Sequence, residues 1–243
     1  IAAYCGTKFA VGVASGTDAL LLSLIACGIQ DGDGVITTPF TFIATTEAIS
    51  KVRGQIIFMD IDTQTYNLDP EKVKEYIEKK CTFNAKTGQL ENAQTHKPIK
   101  VIIPVHLYGH SADMDPIMEL AKKYNLTVIE DCAQAFGTKY KDKYVGTFGD
   151  IGCFSFYPTK NLGTLGDGGG IWIRKKEHYQ FLIKAKSYGE KNKFYSEFVS
   201  GHSRIPEIQA SIVSLYLENF KKNAGKRKKL HSYFNNLLQN NKL

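Results

Sequence analysis

An α/β fold is predicted for this chain, with a mostly parallel sheet covered by helices on both faces. Short apolar, β-rich runs alternate with segments of helical period, and glycine-bearing turns separate the two. The 243 residues, 43% of them hydrophobic, are also enough to bury one sizeable core.

The elements follow in order. Residues 11–18, VGVASGTD, read as a strand or loop entering a helix, and ALLLSLIAC at 19–27 is that buried helix, stopped by Gly28. DGDG at 31–34 makes a turn before a strand at 35–38. A helix over 43–52 ends before Gly54, and 55–59 is the next strand. Asp69-Pro70 opens a helix through Lys79, with aspartate at the cap and proline at the first helical position. The polar stretch 81–99 is expected to be a plain surface loop ahead of a strand at 101–104. A helix over 116–124 precedes a buried strand at 127–129. Strands near 151–156 and 170–173 flank a glycine-rich loop, and from about 204 onward the pattern is helical.

Three features carry chemistry. Lys160 follows the β-rich run Phe154-Ser155-Phe156 and precedes GTLGDGGG at 163–170, a segment too rich in glycine for regular structure. An amine placed beside such a loop suits Schiff-base formation with a carbonyl compound, although a lone lysine there also reads as a surface residue. Asp131 falls just past the strand at 127–129, at the strand end where open α/β sheets bind ligands. A lysine for the aldehyde and a carboxylate for the ring nitrogen are what pyridoxal 5'-phosphate asks of a protein, whereas the plainer reading of Asp131 is a helix cap. The third feature is a helix N-terminus at Ser15-Gly16-Thr17, whose free N–H groups and dipole suit a phosphate; simple capping by Ser15 or Thr17 is the alternative.

Other classes fit poorly. No GxxxxGK[ST] occurs, and the glycines at 163–170 form no GxGxxG between strand and helix, which argues against ATP and dinucleotides. The formal charge is +7, but Lys221, Lys222, Lys226, Arg227, Lys228 and Lys229 account for nearly all of the excess on one expected helix face, so nucleic-acid binding is not expected. No apolar run reaches the roughly 18 residues of a membrane span. Cys5, Cys27, Cys81, Cys132 and Cys153 are scattered, with no CxxC pair, and suit a reducing cytoplasm. His106 and His110 are four apart, but Tyr108-Gly109 breaks any helix between them, so no metal pair is expected.

SGTDAL at 15–20, PFTFIAT at 39–45, IPVHLYG at 103–109, EDCAQAFG at 130–137, SFYPTKNLG at 155–163 and GHSRIPEIQA at 201–210 resemble the DegT/DnrJ/StrS aminotransferases. The resemblance spans nearly the whole chain. It implies the aspartate-aminotransferase-like fold, type I among pyridoxal phosphate enzymes, and a reaction that aminates nucleoside-diphosphate-linked keto-sugars with an amino donor such as glutamate. By position it implies Lys160 as the Schiff-base lysine, Asp131 at the ring nitrogen, Gln134 near the ring hydroxyl and Phe42 stacked on the ring. Gly16, Thr17 and Ser155 would surround the phosphate, and His106 would lie near the cofactor pocket. A homodimer is implied, with His202 and Arg204 reaching the partner's cofactor phosphate; the local alternative pairs Arg204 with Glu207 and lets His202 cap the next helix. Residues 1–203 would form the large cofactor-binding domain, and 204–243 helices leading to a small domain mostly outside this sequence, which therefore reads as an internal fragment. Many relatives carry asparagine where His202 stands. Relatives that dehydrate sugars have histidine at the lysine position, so Lys160 argues against that chemistry, and a non-catalytic cofactor-binding regulator is the remaining alternative.

Overall fold

The computed structural model describes residues 1–240; residues 241–243, the end of the stretch 204–243, lie outside the described residues. The first half comprises α1 (Ala2–Cys5), β1 (Phe9–Val13), α2 (Gly16–Ala26), β2 (Gly34–Thr37), α3 (Ala44–Lys51), β3 (Gln55–Phe58) and α4 (Pro70–Lys80). Next come β4 (Cys81–Asn84), β5 (Gln89–Asn92), β6 (Pro98–Ile102), a 3-10 turn at Leu107–Gly109, α5 (Met114–Tyr124) and β7 (Thr127–Asp131). The remainder is β8 (Lys139–Tyr140), β9 (Lys143–Tyr144), β10 (Ile151–Ser155), β11 (Gly169–Ile173), α6 (Lys176–Ala185), β12 (Glu190–Asn192), β13 (Tyr195–Ser196), α7 (Glu207–Glu218) and α8 (Phe220–Asn240).

The helix ends form for local reasons. Ser15 accepts from Asp18 N–H at the start of α2, and Gly28 turns the chain away at φ 67°. Asp69 accepts from Glu71 N–H ahead of Pro70. α5 begins at Met114, two residues before the expected Pro116, because proline is tolerated within a first turn; Asn125 closes the helix at φ 54°.

The main sheet has nine strands, seven of them in the order β1-β11-β10-β7-β6-β2-β3. Neighbours from β10 to β3 run parallel, while β11 is antiparallel to both β10 and β1. Strand alternation sorts side chains onto two covered faces. Val35, Val101, Ile103 and Ile129 pack against α2, α3 and α6. Their neighbours Ile36, Ile102 and Val128 pack against α4 and α5. An aromatic cluster of Phe136, Phe154, Phe156, Trp172 and Phe220 fills the space between the end of the sheet and α7 and α8.

The stretch 81–99 differs from expectation. It is an antiparallel hairpin, β4 with β5, and β5 continues the sheet by pairing with β6. Leu90 is only 1% exposed and joins the core over α4 and α5, while Gly88 at φ 66° and the Asn84 side chain, accepting from Lys86 and Thr87 N–H, make the turn. A single buried leucine among polar residues is a weak periodic signal, which is why the composition reads as loop. α6 and the small ladders β8–β9 and β12–β13 were also not anticipated.

Consecutive residues Glu130 and Asp131 end β7 and point to opposite faces. Glu130 is fully buried and accepts from the N–H groups of Gly146, Phe148 and Gly149 at 2.6, 2.8 and 2.7 Å. His106 Nε2 lies 3.0 Å from the same carboxylate, and Ala112 N–H donates to His106 Nδ1 at 3.0 Å. An Nδ1 that accepts must leave the proton on Nε2, so the ring is a donor to Glu130. Glu130→Ala in the full-length protein should cost about 3–5 kcal/mol of unfolding free energy in a denaturant titration, since one ring and three amides lose their acceptor. A variant as stable as the parent would show that those donors find other partners.

Candidate active site

The carboxyl ends of β7 and β10, the N-terminus of α2 and the segment leading into α3 enclose a cavity of ≈ 390 Å³. Gly16, Thr17, Phe42, Asp131, Gln134, Ser155 and Lys160 all line it, joined by Thr41, Thr45, Tyr157 and Asp167. These residues come from five separate stretches of sequence, and the sheet brings their ends together.

Backbone proximity shapes the α2 end of the cavity. A Cβ on Gly16 would stand 2.7 Å from Ser155 Cβ, and one on Gly169 would run into the Ser15 carbonyl oxygen. Glycine at both places lets α2 enter against β10 and β11, so its unpaired N–H groups open on the cavity beside Thr17 and Ser155. Phe154 and Phe156 point the other way into the aromatic cluster, which leaves Ser155 on the cavity side.

The lysine loop is held from two sides. Lys160 N–H donates to Tyr157 O at 2.9 Å, and Phe156 N–H donates to Gly168 O at 2.8 Å, closing the loop onto the strand end. Gln209 of α7 clamps it further: its Oε1 accepts from Thr164 Oγ1 at 2.5 Å and Leu165 N–H at 3.1 Å, and its Nε2 donates to Leu165 O at 3.2 Å. Asn161, next to Lys160, donates to the carbonyl oxygens of Gln134 and Phe136.

Asp131 is 5% exposed. Its Oδ1 accepts from Ala133 N–H at 3.1 Å and its Oδ2 from Thr45 Oγ1 at 2.8 Å. Burial pushes its acidity down, so the pKa is raised; the Ala133 N–H, the Thr45 hydroxyl and the nearby His106 and Lys160 oppose that shift. Gln134 Oε1 accepts from Tyr108 N–H at 2.8 Å, which turns the amide's NH2 toward the cavity. Phe42 is 70% exposed at the cavity rim, so its default reading as core does not hold.

Two expectations come out differently. His106 is not among the cavity-lining side chains; strand alternation places Glu130 on the far face, and His106 is buried there with it. His202 and Arg204 are exposed outside this cavity, and Arg204 Nε donates to His202 Nε2 at 2.7 Å. Neither local alternative for them is seen, because Arg204 bonds His202 and α7 starts without a side-chain cap. Ser203 instead anchors this segment, donating to Asp18 Oδ2 at 2.7 Å and accepting from Ala14 N–H at 3.1 Å. His106, Glu130 and Cys132 could in principle approach one ion, with ligand atoms within 4.8 Å. The Glu130 carboxylate already takes four donors and His106 Nδ1 is occupied, so the group serves the fold.

The profile of the DegT/DnrJ/EryC1/StrS aminotransferase family matches residues 1–243. The chain belongs to this family. It is 40% identical to the pleiotropic regulatory protein of Geobacillus stearothermophilus over 98% of this chain and 59% of that protein. It is 43% identical to the UDP-N-acetyl-3-dehydro-alpha-D-glucosamine 3-aminotransferase of Acidithiobacillus ferrooxidans, over 88% of this chain and 53% of the relative. Among solved structures, S. venezuelae DesV in complex with a ketimine intermediate superposes with a TM-score of 0.86 at 36% identity, covering 98% of this chain and 59% of that one. The chain thus spans less than three fifths of the length of these relatives.

The cavity residues fit pyridoxal phosphate, the cofactor of this family. Gly16 admits a close anion at a helix end, a buried carboxylate stands ready for a cationic ring nitrogen, and Lys160 supplies an amine in the same space. Full-length protein mixed with pyridoxal phosphate and reduced with borohydride should carry the label on Lys160, located by peptide mapping, and Lys160→Ala should carry none. Label on a different lysine would overturn the assignment.

Proposed function

We propose that the protein containing this chain is a pyridoxal phosphate-dependent aminotransferase that moves an amino group from glutamate to a nucleoside-diphosphate-linked keto-sugar. The observation that carries this reading is the convergence of Lys160, Asp131 and the N-terminus of α2 on one cavity, in a chain of this family. Relatives named as UDP- and dTDP-sugar aminotransferases support the substrate class.

Bound pyridoxal phosphate supplies a carbonyl carbon for condensation with amines and a ring that takes up the electron pair of a broken Cα–H bond. Lys160 Nζ accepts the donor's Cα proton and returns it to the neighbouring carbon. Asp131 holds the proton on the ring nitrogen through both half-reactions, and Thr45 and Ala133 keep its carboxylate in place. The α2 N–H groups with Thr17 and Ser155 bind the phosphate, Gln134 Nε2 donates to the ring hydroxyl, and Phe42 covers a ring face. The return half-reaction runs the same proton path in reverse on the keto-sugar.

Asp131→Ala should bind cofactor more weakly and slow the glutamate half-reaction by at least about 1,000-fold, an effect equivalent to roughly 4 kcal/mol. Conversion of glutamate to 2-oxoglutarate with a stoichiometric change of cofactor form is the measurement. The relative named as a pleiotropic regulatory protein favours a second reading, a cofactor-binding regulator. Wild-type protein that binds the cofactor but leaves glutamate unconverted would support that reading instead.

The active unit is proposed to be a cytoplasmic homodimer, in keeping with five free cysteines and with exposed Phe40, Phe42 and Tyr108 at the cavity mouth. His202 and Arg204 would then reach the partner's cofactor phosphate, and α8 would lead from the large domain of residues 1–203 to a small one. Mixing Lys160→Ala subunits with His202→Ala/Arg204→Ala subunits should restore activity, since one site per mixed dimer regains every group. Two inactive parents that exchange subunits without recovery would place His202 and Arg204 in their own subunit's service.

A further inference from the structure

Asp131 is gripped by more than its own turn. The Thr45 hydroxyl donates to Asp131 Oδ2 at 2.8 Å and lies 2.9 Å from the Thr41 hydroxyl. An ionised carboxylate has no proton to give, so the single O–H of Thr45 goes to Asp131 and Thr41 must donate to Thr45. The chain of bonds therefore has one direction, from Thr41 through Thr45 to Asp131. Thr45 is 1% exposed, and a bond to a charged oxygen shielded from water is a strong one. Ala133 N–H holds the other oxygen at 3.1 Å, so the two donors together fix the plane of the carboxylate. Thr45 stands in the first turn of α3, and Thr41 and Phe42 lie just ahead of it. The segment that presents Phe42 at the cavity mouth is thereby anchored at its inner end on Asp131.

We propose that Thr45, oriented by Thr41, is a positioning residue for the cofactor ring: it sets the Asp131 carboxylate in the orientation that meets a pyridinium N–H and ties that orientation to the segment carrying Phe42. The inference rests on the aminotransferase reading above. The same hydroxyl opposes the effect of burial on Asp131, alongside Ala133, His106 and Lys160.

The test is the dissociation constant of pyridoxal phosphate from full-length protein. Thr45→Val keeps the shape and removes the O–H; it should weaken binding by about ten- to a hundred-fold, the worth of a hydrogen bond to a charged group. Thr45→Ser, which restores the hydroxyl, should stay within about three-fold of wild type. Added to Asp131→Ala, Thr45→Val should change affinity by less than about two-fold, because its only route of action is gone. Wild-type affinity in Thr45→Val, or an equal loss in both backgrounds, overturns the proposal. Should Thr45→Val fail to fold, Thr41→Val, at a half-buried position, replaces it: a several-fold loss that disappears in Asp131→Ala supports the relay, and no loss overturns it. Wild-type protein that takes up no pyridoxal phosphate overturns the aminotransferase reading itself, a separate outcome.

Discussion

Two carboxylates on consecutive residues have to be buried on opposite faces of one strand, and each needs its own donors to be tolerated there. Glu130 is satisfied by the 146–149 backbone and His106, which pins a loop and a neighbouring strand end against β7. Asp131 receives only two protein donors, Ala133 N–H and Thr45 O–H, and its remaining acceptor capacity faces the cavity. The inward carboxylate is thus complete within the fold, while its neighbour is left able to bind something cationic. One residue secures the strand end and the next uses it.

The same division explains what could be read from the amino-acid order. The strand and helix alternation survived because its signals are local: a serine cap before Asp18, glycine after α2, Asp69-Pro70 before α4. Lys160, Asp131 and Gly16 could be singled out because each sits where a strand or helix ends beside glycine or acidic residues. Their meeting in one cavity was not local information, and the family resemblance supplied it. The hairpin over 81–92 escaped notice because its burial rests mainly on Leu90. Thr41 and Thr45 went unremarked within PFTFIAT although their spacing of four suits a helix start, since two threonines carry no chemistry until a carboxylate is seen beside them.

His106 shows the limit of reading by position. Its place in IPVHLYG pointed toward the cavity, yet the ring is consumed by Glu130 and Ala112 on the other side of the strand. A histidine whose two nitrogens are both engaged inside the protein is a structural part, whatever motif surrounds it.

The close passage of α2 beside β10 and β11 has a consequence for how such a protein can diversify. At Gly16 and Gly169 the walls of the cavity are main chain, with no room for a first side-chain atom. Point substitution therefore has almost no purchase on the anion end, which is inherited as a fixed fitting. The opposite rim is formed by protruding side chains such as Phe42, Tyr108 and Tyr157, each free to be exchanged without moving backbone. Divergence toward new acceptor molecules has its room at that rim, so two descendants of one ancestor can differ in what they act upon while holding the same anion in the same way.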